Sequence, residues 1–116
     1  MNTLSTDLTH ITSEAQYNEI LKTQENVMIC CGRMGPMCIP VYGEMEELES
    51  EYTNVKFYDM LFDLPDAHVI RNLKECSGFM GIPFTIYYKN GQVVKATSSI
   101  QSRKQITEIL NEKFGK

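Results

Sequence analysis

Val27-Met28-Ile29-Cys30-Cys31-Gly32-Arg33-Met34-Gly35-Pro36-Met37-Cys38 opens as an unbroken apolar run, breaks at a glycine and turns through Gly35-Pro36 into a helical pattern. Five consecutive apolar residues bounded by turn formers read as a strand buried on both faces, since a strand with one wet face would alternate apolar and polar positions. A strand covered on both sides needs helices above and below it, which points to an α/β fold. Three of the four cysteines and three of the seven methionines lie in this one stretch. Function therefore turns on which of these sulfur atoms does chemistry.

Upstream, residues 8–11 suit a short edge strand, and Ser13-Glu14-Ala15-Gln16 has the form of a capping box. Tyr17, Ile20 and Leu21 then make one helical stripe. Downstream, Val41, Met45, Leu48 and Tyr52 recur at helical spacing and predict a second helix over residues 38–52. Pro40 is tolerated near its start, where backbone N–H groups lack intrahelical partners. Glu44, Glu46, Glu47, Glu49 and Glu51 form a solvated face. A strand is expected over residues 55–60, and Leu64-Pro65-Asp66 opens a third helix whose Val69, Ile70 and Leu73 face inward. Phe84-Thr85-Ile86-Tyr87-Tyr88 and Val93-Val94-Lys95-Ala96 flank Asn90-Gly91, a strong hairpin signal. Ser102 and Gln105 form a second capping box before a terminal helix carrying Ile106, Ile109, Leu110 and Phe114. The order β-α-β-α-β-α-β-β-α gives a mixed central sheet with helices on both faces.

A chain of 116 residues is expected to form one domain over residues 1–116. Its net charge of -4 argues against nucleic acid, whose phosphates need a cationic surface. No apolar run approaches the ~18 residues of a membrane span. The start Met1-Asn2-Thr3-Leu4-Ser5-Thr6 lacks the basic and apolar regions of a secretory signal, so a cytoplasmic protein is expected. In a reducing compartment the cysteines are reactive or buried thiols before they are a disulfide framework. Cys30 and Cys31, as strand neighbours, point to opposite faces. His10 and His68 lie near no cysteine pair at zinc-finger spacing, so no metal site and no cofactor are expected.

The element order and several short motifs resemble a thioredoxin over residues 11–114. Gly81-Ile82-Pro83 is similar to that family's Gly-Ile-Pro-Thr segment, whose proline is cis and lies beside the redox site. Tyr88-Lys89-Asn90-Gly91-Gln92 resembles its hairpin, and Phe62-Asp63-Leu64-Pro65-Asp66 resembles its Val-Asp-Glu-Asn-Pro strand end. The resemblance implies a thioredoxin fold, an α/β mixed sheet flanked by helices. It also places Arg33-Met34-Gly35-Pro36-Met37 on the Trp-Cys-Gly-Pro-Cys motif, so that Met34 and Met37 stand where the redox cysteines would be. A thioether forms no disulfide. The family's buried carboxylate would fall at Met28, and the segment 63–81 is longer than usual.

Cys38, in the first turn of the second helix, is the leading catalytic candidate, because unpaired N–H groups and the helix dipole favour a thiolate there, and Arg33 would add positive potential. It has two redox roles to fill. It pairs with Cys31 across six intervening residues if the Cα atoms approach within ~7 Å, or it works alone through mixed disulfides that Cys76 resolves. The leading expectation is thus thiol redox chemistry or cell redox homeostasis centred on Cys38 and Cys31. The alternative is a redox-inactive module in which Met34, Gly35, Pro36, Met37, Ile82 and Pro83 hold a partner, the backbone of Ile82 pairing with an extended peptide. A third is Cu(I) held by Met34, Met37 and Cys38, with Met80 nearby. The partners expected are protein thiols or an extended peptide segment, with neither nucleic acid nor membrane.

Overall fold

The strand β2 (Asn26–Gly32) runs through the middle of a five-stranded sheet. Its neighbours are β3 (Lys56–Leu61), which runs parallel to it, and β4 (Phe84–Lys89), which runs antiparallel. The parallel edge strand β1 (Thr9–Ile11) and the antiparallel edge strand β5 (Gln92–Ser98) complete the order β1-β3-β2-β4-β5. The computed structural model describes residues 3–115; Met1, Asn2 and Lys116, counted in the expected domain, lie outside the described residues.

Alternation along β2 sorts its side chains between two cores. Met28 and Cys30 pack with α2 (Ile39–Leu48) and α4 (Arg103–Phe114) on one face. Val27, Ile29 and Cys31 pack on the other with α1 (Glu14–Thr23) and the short α3 (His68–Arg71). Val27, Met28, Ile29, Cys30 and Cys31 are all fully buried, as the unbroken apolar run requires of a strand covered on both sides. The mixed sheet with helices on both faces is therefore present, and each expected element occurs in the expected order.

The caps form as local chemistry dictates. In α4 both halves of the box are made: Gln105 N–H donates to Ser102 Oγ at 3.2 Å, and Ser102 N–H donates to Gln105 Oε1 at 2.8 Å. In α1 only one half forms, because Gln16 Oε1 takes the N–H of Thr12 at 2.8 Å in place of the cap's own. Asn90 and Gly91 have φ of 52° and 79°, the paired left-handed residues of a tight hairpin whose twist matches its strands.

Two helices are shorter than their periodicity predicts. The second ends at Leu48, although Tyr52 keeps its inward position through Tyr52 N–H donating to the Leu48 carbonyl at 2.9 Å and its hydroxyl donating to Asn111 Oδ1 at 2.8 Å. The third is broken into a 3-10 turn at Pro65–Ala67, the four-residue α3, and a 3-10 turn at Lys74–Cys76. Leu73, at ψ 140°, is extended between the last two. Arg71 holds this segment down by donating to the carbonyls of Phe62 at 2.6 Å and Leu64 at 2.7 Å. Ile70 is fully buried, whereas Val69 and Leu73 are half-buried at the edge of the core.

Candidate functional site

The turn after β2 carries the candidate site. Gly35 accepts from the N–H groups of both Cys38 (3.1 Å) and Ile39 (3.0 Å), which closes the turn and starts α2. Cys38 stands at the N-cap with helical φ and ψ, and Pro40 occupies the first turn, where its missing N–H costs no helix bond. The Cys38 thiol faces inward. It is 1% exposed, and its Sγ accepts from Arg33 N–H at 3.5 Å. The Tyr42 hydroxyl donates to the Arg33 carbonyl at 2.9 Å, so this one backbone unit is held from both ends. Gly32 is a glycine because no Cβ fits: one placed there would lie 2.6 Å from the Tyr42 hydroxyl oxygen, 2.8 Å from Cys38 Sγ and 3.1 Å from Pro83 Cβ. The peptide bond between Ile82 and Pro83 is cis, and the Pro83 carbonyl accepts from Ser99 N–H at 3.0 Å.

Outside this packed floor lies a groove of about 770 Å³, walled by the 33–38 turn, Phe62, Phe84 and residues 79–82. Its rim is thioether: Met34, Met37 and Met80 are 39%, 49% and 98% exposed. Phe84 anchors the wall, with the rings of Phe62 and Phe79 both edge-on to it at 5.3 Å. The Arg33 guanidinium forks onto Asp63 through two 2.8 Å bonds and lies 5.4 Å over the Phe62 ring. The bonds from Arg33 hold the Asp63 carboxyl below its ordinary range. Among the described residues, no backbone hydrogen bond engages Ile82, whose half-buried side chain packs at the border of both cores.

Solved structures similar to this one include thioredoxins. Chlamydomonas reinhardtii thioredoxin f2 matches with a TM-score of 0.74 and 19% identity over 94% of this chain and 99% of its own. A cysteine-to-serine mutant of Entamoeba histolytica thioredoxin matches at 0.72 and 21% identity, over 90% of this chain and 98% of that one. Arabidopsis thaliana thioredoxin O2 in its oxidised state matches at 0.72 and 15% identity, over 97% and 98%. The chain has the thioredoxin fold. No protein-family model and no curated protein matches the sequence.

Within this thioredoxin fold the residues expected at the site are sorted in a way their spacing does not show. Met34, Gly35, Pro36, Met37, Cys38 and Ile82 all line the groove, and Pro83 packs beneath it against Gly32. Cys31 does not join them. It faces the α1 and α3 side with Cys76, while Cys38 shares the α2 and α4 side with Cys30. Cys31 and Cys38, the expected pair, sit in the cores on opposite faces of the sheet, and all four cysteines are free. Cys76 likewise belongs to the core of Cys31 and is on the wrong side to resolve a bond made by Cys38. Burial pushes the Cys31 thiol up to about 12 and that of Cys76 up to about 11, and it raises Cys30 well above its ordinary value. Arg33 reaches Cys38 through its backbone N–H, and its guanidinium is paired with Asp63.

The sequence reading missed a buried polar cluster. The Asp59 carboxylate on β3 is fully buried, accepts from the Thr6 hydroxyl and lies 2.6 Å from His10 Nδ1. It stands beside Cys30 in the β2–β3 register, so the face whose expected carboxylate position is Met28 carries its acid on the next strand. Burial raises its pKa, while Thr6 and His10 pull the other way. The signal was an acid inside the apolar run Phe57-Tyr58-Asp59-Met60-Leu61, at the parity of the inward-facing Phe57 and Leu61.

Proposed function

We propose that this chain is a binding module built on the thioredoxin fold, which holds an extended segment of a partner protein in the methionine-rimmed groove. The observation that carries this reading is the inversion of sulfur at the groove: the thioethers of Met34, Met37 and Met80 are exposed, while Cys38, the one thiol in its wall, is 1% exposed. A dithiol reductase needs a surface thiolate and a second thiol within bonding reach. This groove has a buried thiol whose expected partner is on the far side of the sheet. Flexible, polarizable methionines suit an adaptable apolar contact, and the backbone of Ile82 supplies hydrogen-bonding groups for a strand laid beside it.

A second reading keeps thiol chemistry. Cys38 Sγ lies directly behind the groove wall and accepts a long hydrogen bond from Arg33 N–H, so an opening of the 33–37 turn presents it to a partner thiol for a mixed disulfide. One experiment separates the two. Peptides selected by display against the folded chain should perturb the methyl signals of Met34 and Met37 in NMR spectra. Met34→Asp with Met37→Asp should abolish binding at unchanged melting temperature, and Cys38→Ala should bind as the wild type does. Loss of binding in Cys38→Ala alone, with a peptide adduct trapped by mass in the wild type, sinks the module reading in favour of the thiol.

A further inference from the structure

Burial sorts the sulfur of the described residues into two populations. Met28, Met45 and Met60 are fully buried, Cys30, Cys31 and Cys38 are at most 1% exposed, and Cys76 is 4% exposed. Met34, Met37 and Met80 are the exposed sulfurs among the described residues, and all three line one groove. Thiols ordinarily outcompete thioethers for peroxides, but only as accessible thiolates. Here every thiol lies beneath packed side chains, and burial disfavours ionisation of Cys30, Cys31 and Cys76. A thioether needs no ionisation to react. Among the described residues, the first sulfur an oxidant meets is therefore a methionine of the groove rim.

We propose that the groove rim is an oxidation site at which a hydroperoxide converts Met80, Met37 and Met34 to methionine sulfoxides, switching the groove from apolar to polar. In each step a sulfur lone pair attacks the outer peroxide oxygen, an S–O bond forms and the O–O bond breaks. The sulfur is oxidised by an electron pair and the peroxide is reduced to water or an alcohol, the leaving oxygen taking up the proton the transferred oxygen gives up. The sulfoxide is polar and is returned to thioether by methionine sulfoxide reductases, so the change is reversible. Met80, almost wholly exposed, reacts first, and the more covered Met37 and Met34 follow. The consequence for partner binding rests on the binding reading above; the oxidation site itself does not.

The test is a hydrogen peroxide titration of the native chain followed by peptide mass mapping. Oxygen should appear at Met80 before Met37 and Met34, at doses that leave Met28, Met45, Met60 and all four cysteines unmodified. Cysteine oxidation ahead of Met80, or core methionines reacting as fast as the rim, would overturn the proposal. For the switch, affinity for a selected peptide should fall by about tenfold or more after oxidation and return after reductase treatment. The variant Met34→Leu, Met37→Leu, Met80→Leu should keep its affinity through the same treatment. Equal loss in that variant overturns the switch. Failure to find any peptide ligand counts against the binding reading, and the mass map still decides the oxidation site.

Discussion

Gly32 and Cys38 share one volume: a Cβ on Gly32 would stand 2.8 Å from Cys38 Sγ, closer than such atoms pack. The last residue of β2 and the first of the helical turn are thus fitted to each other, and that fit turns the thiol inward. Gly32→Ala should destabilise the chain by about 1–3 kcal/mol through overpacking, read as a lowered denaturant midpoint at unchanged slope. Combined with Cys38→Ala, which removes one of the clashing atoms, it should cost less than the sum of the two single changes. Strict additivity would mean that the two residues do not compete for space.

Cys38→Ala alone removes a buried sulfur and should cost about 1 kcal/mol in chemical denaturation. In the native chain, alkylation of Cys38 should proceed only through opening of the turn, so its rate should rise steeply in sub-denaturing urea. A rate equal to that of the unfolded chain in the absence of urea would show that the thiol is already at the surface.

Asp59 makes stability depend on pH, with a definite sign. Burial raises its carboxyl pKa above 3.8, so the native state holds this proton to higher pH than the unfolded chain does. Its contribution is fully present below the unfolded value and is lost as pH rises through the raised one. The groups facing it are Thr6, His10, Cys30, Tyr42 and Glu46. Asp59→Asn removes the titration, so the stability of the variant relative to wild type should shift in the variant's favour as pH climbs from about 4. A difference that stays constant or moves the other way contradicts the buried-acid account.

Ser102 is the better placed of the two helix caps, because Gln105 completes its box. Ser102→Ala should cost about 1 kcal/mol in chemical denaturation, in the usual range for a lost N-cap. The buried Ile106, Ile109 and Leu110 face should keep the helix docked, so the far-ultraviolet circular dichroism of the variant should match that of the wild type. A large loss of helical signal would show that the cap, more than packing, holds α4 in place.

Much of the architecture was legible because it is written in short-range chemistry. The hairpin at Asn90-Gly91, the cap at Ser102 and the unbroken apolar run of β2 each depend on a few adjacent residues. The inward spacing of Val69, Ile70 and Leu73 predicts a longer third helix but is equally compatible with short turns, and in the fold the chain is extended at Leu73. The cluster of Thr6, His10 and Asp59 was not legible, since its members are brought together across 53 and 49 residues of sequence.

The amino-acid sequence by itself determined the kinds of element, their order and the covered central strand, because helix and strand periods, caps and turn residues act within a few positions. Only the tertiary structure decided which sulfur faces which space. Cys30, and not Cys31, shares a core with Cys38, and Cys38, and not Met37, turns inward at the start of α2. Side chains in a strand alternate with a period of two, so a single position in β2 decides the face. The turn closed on Gly35 and the space left open by Gly32 then settle which residue points in. Those quantities exist only once strands, turn and helix are packed together.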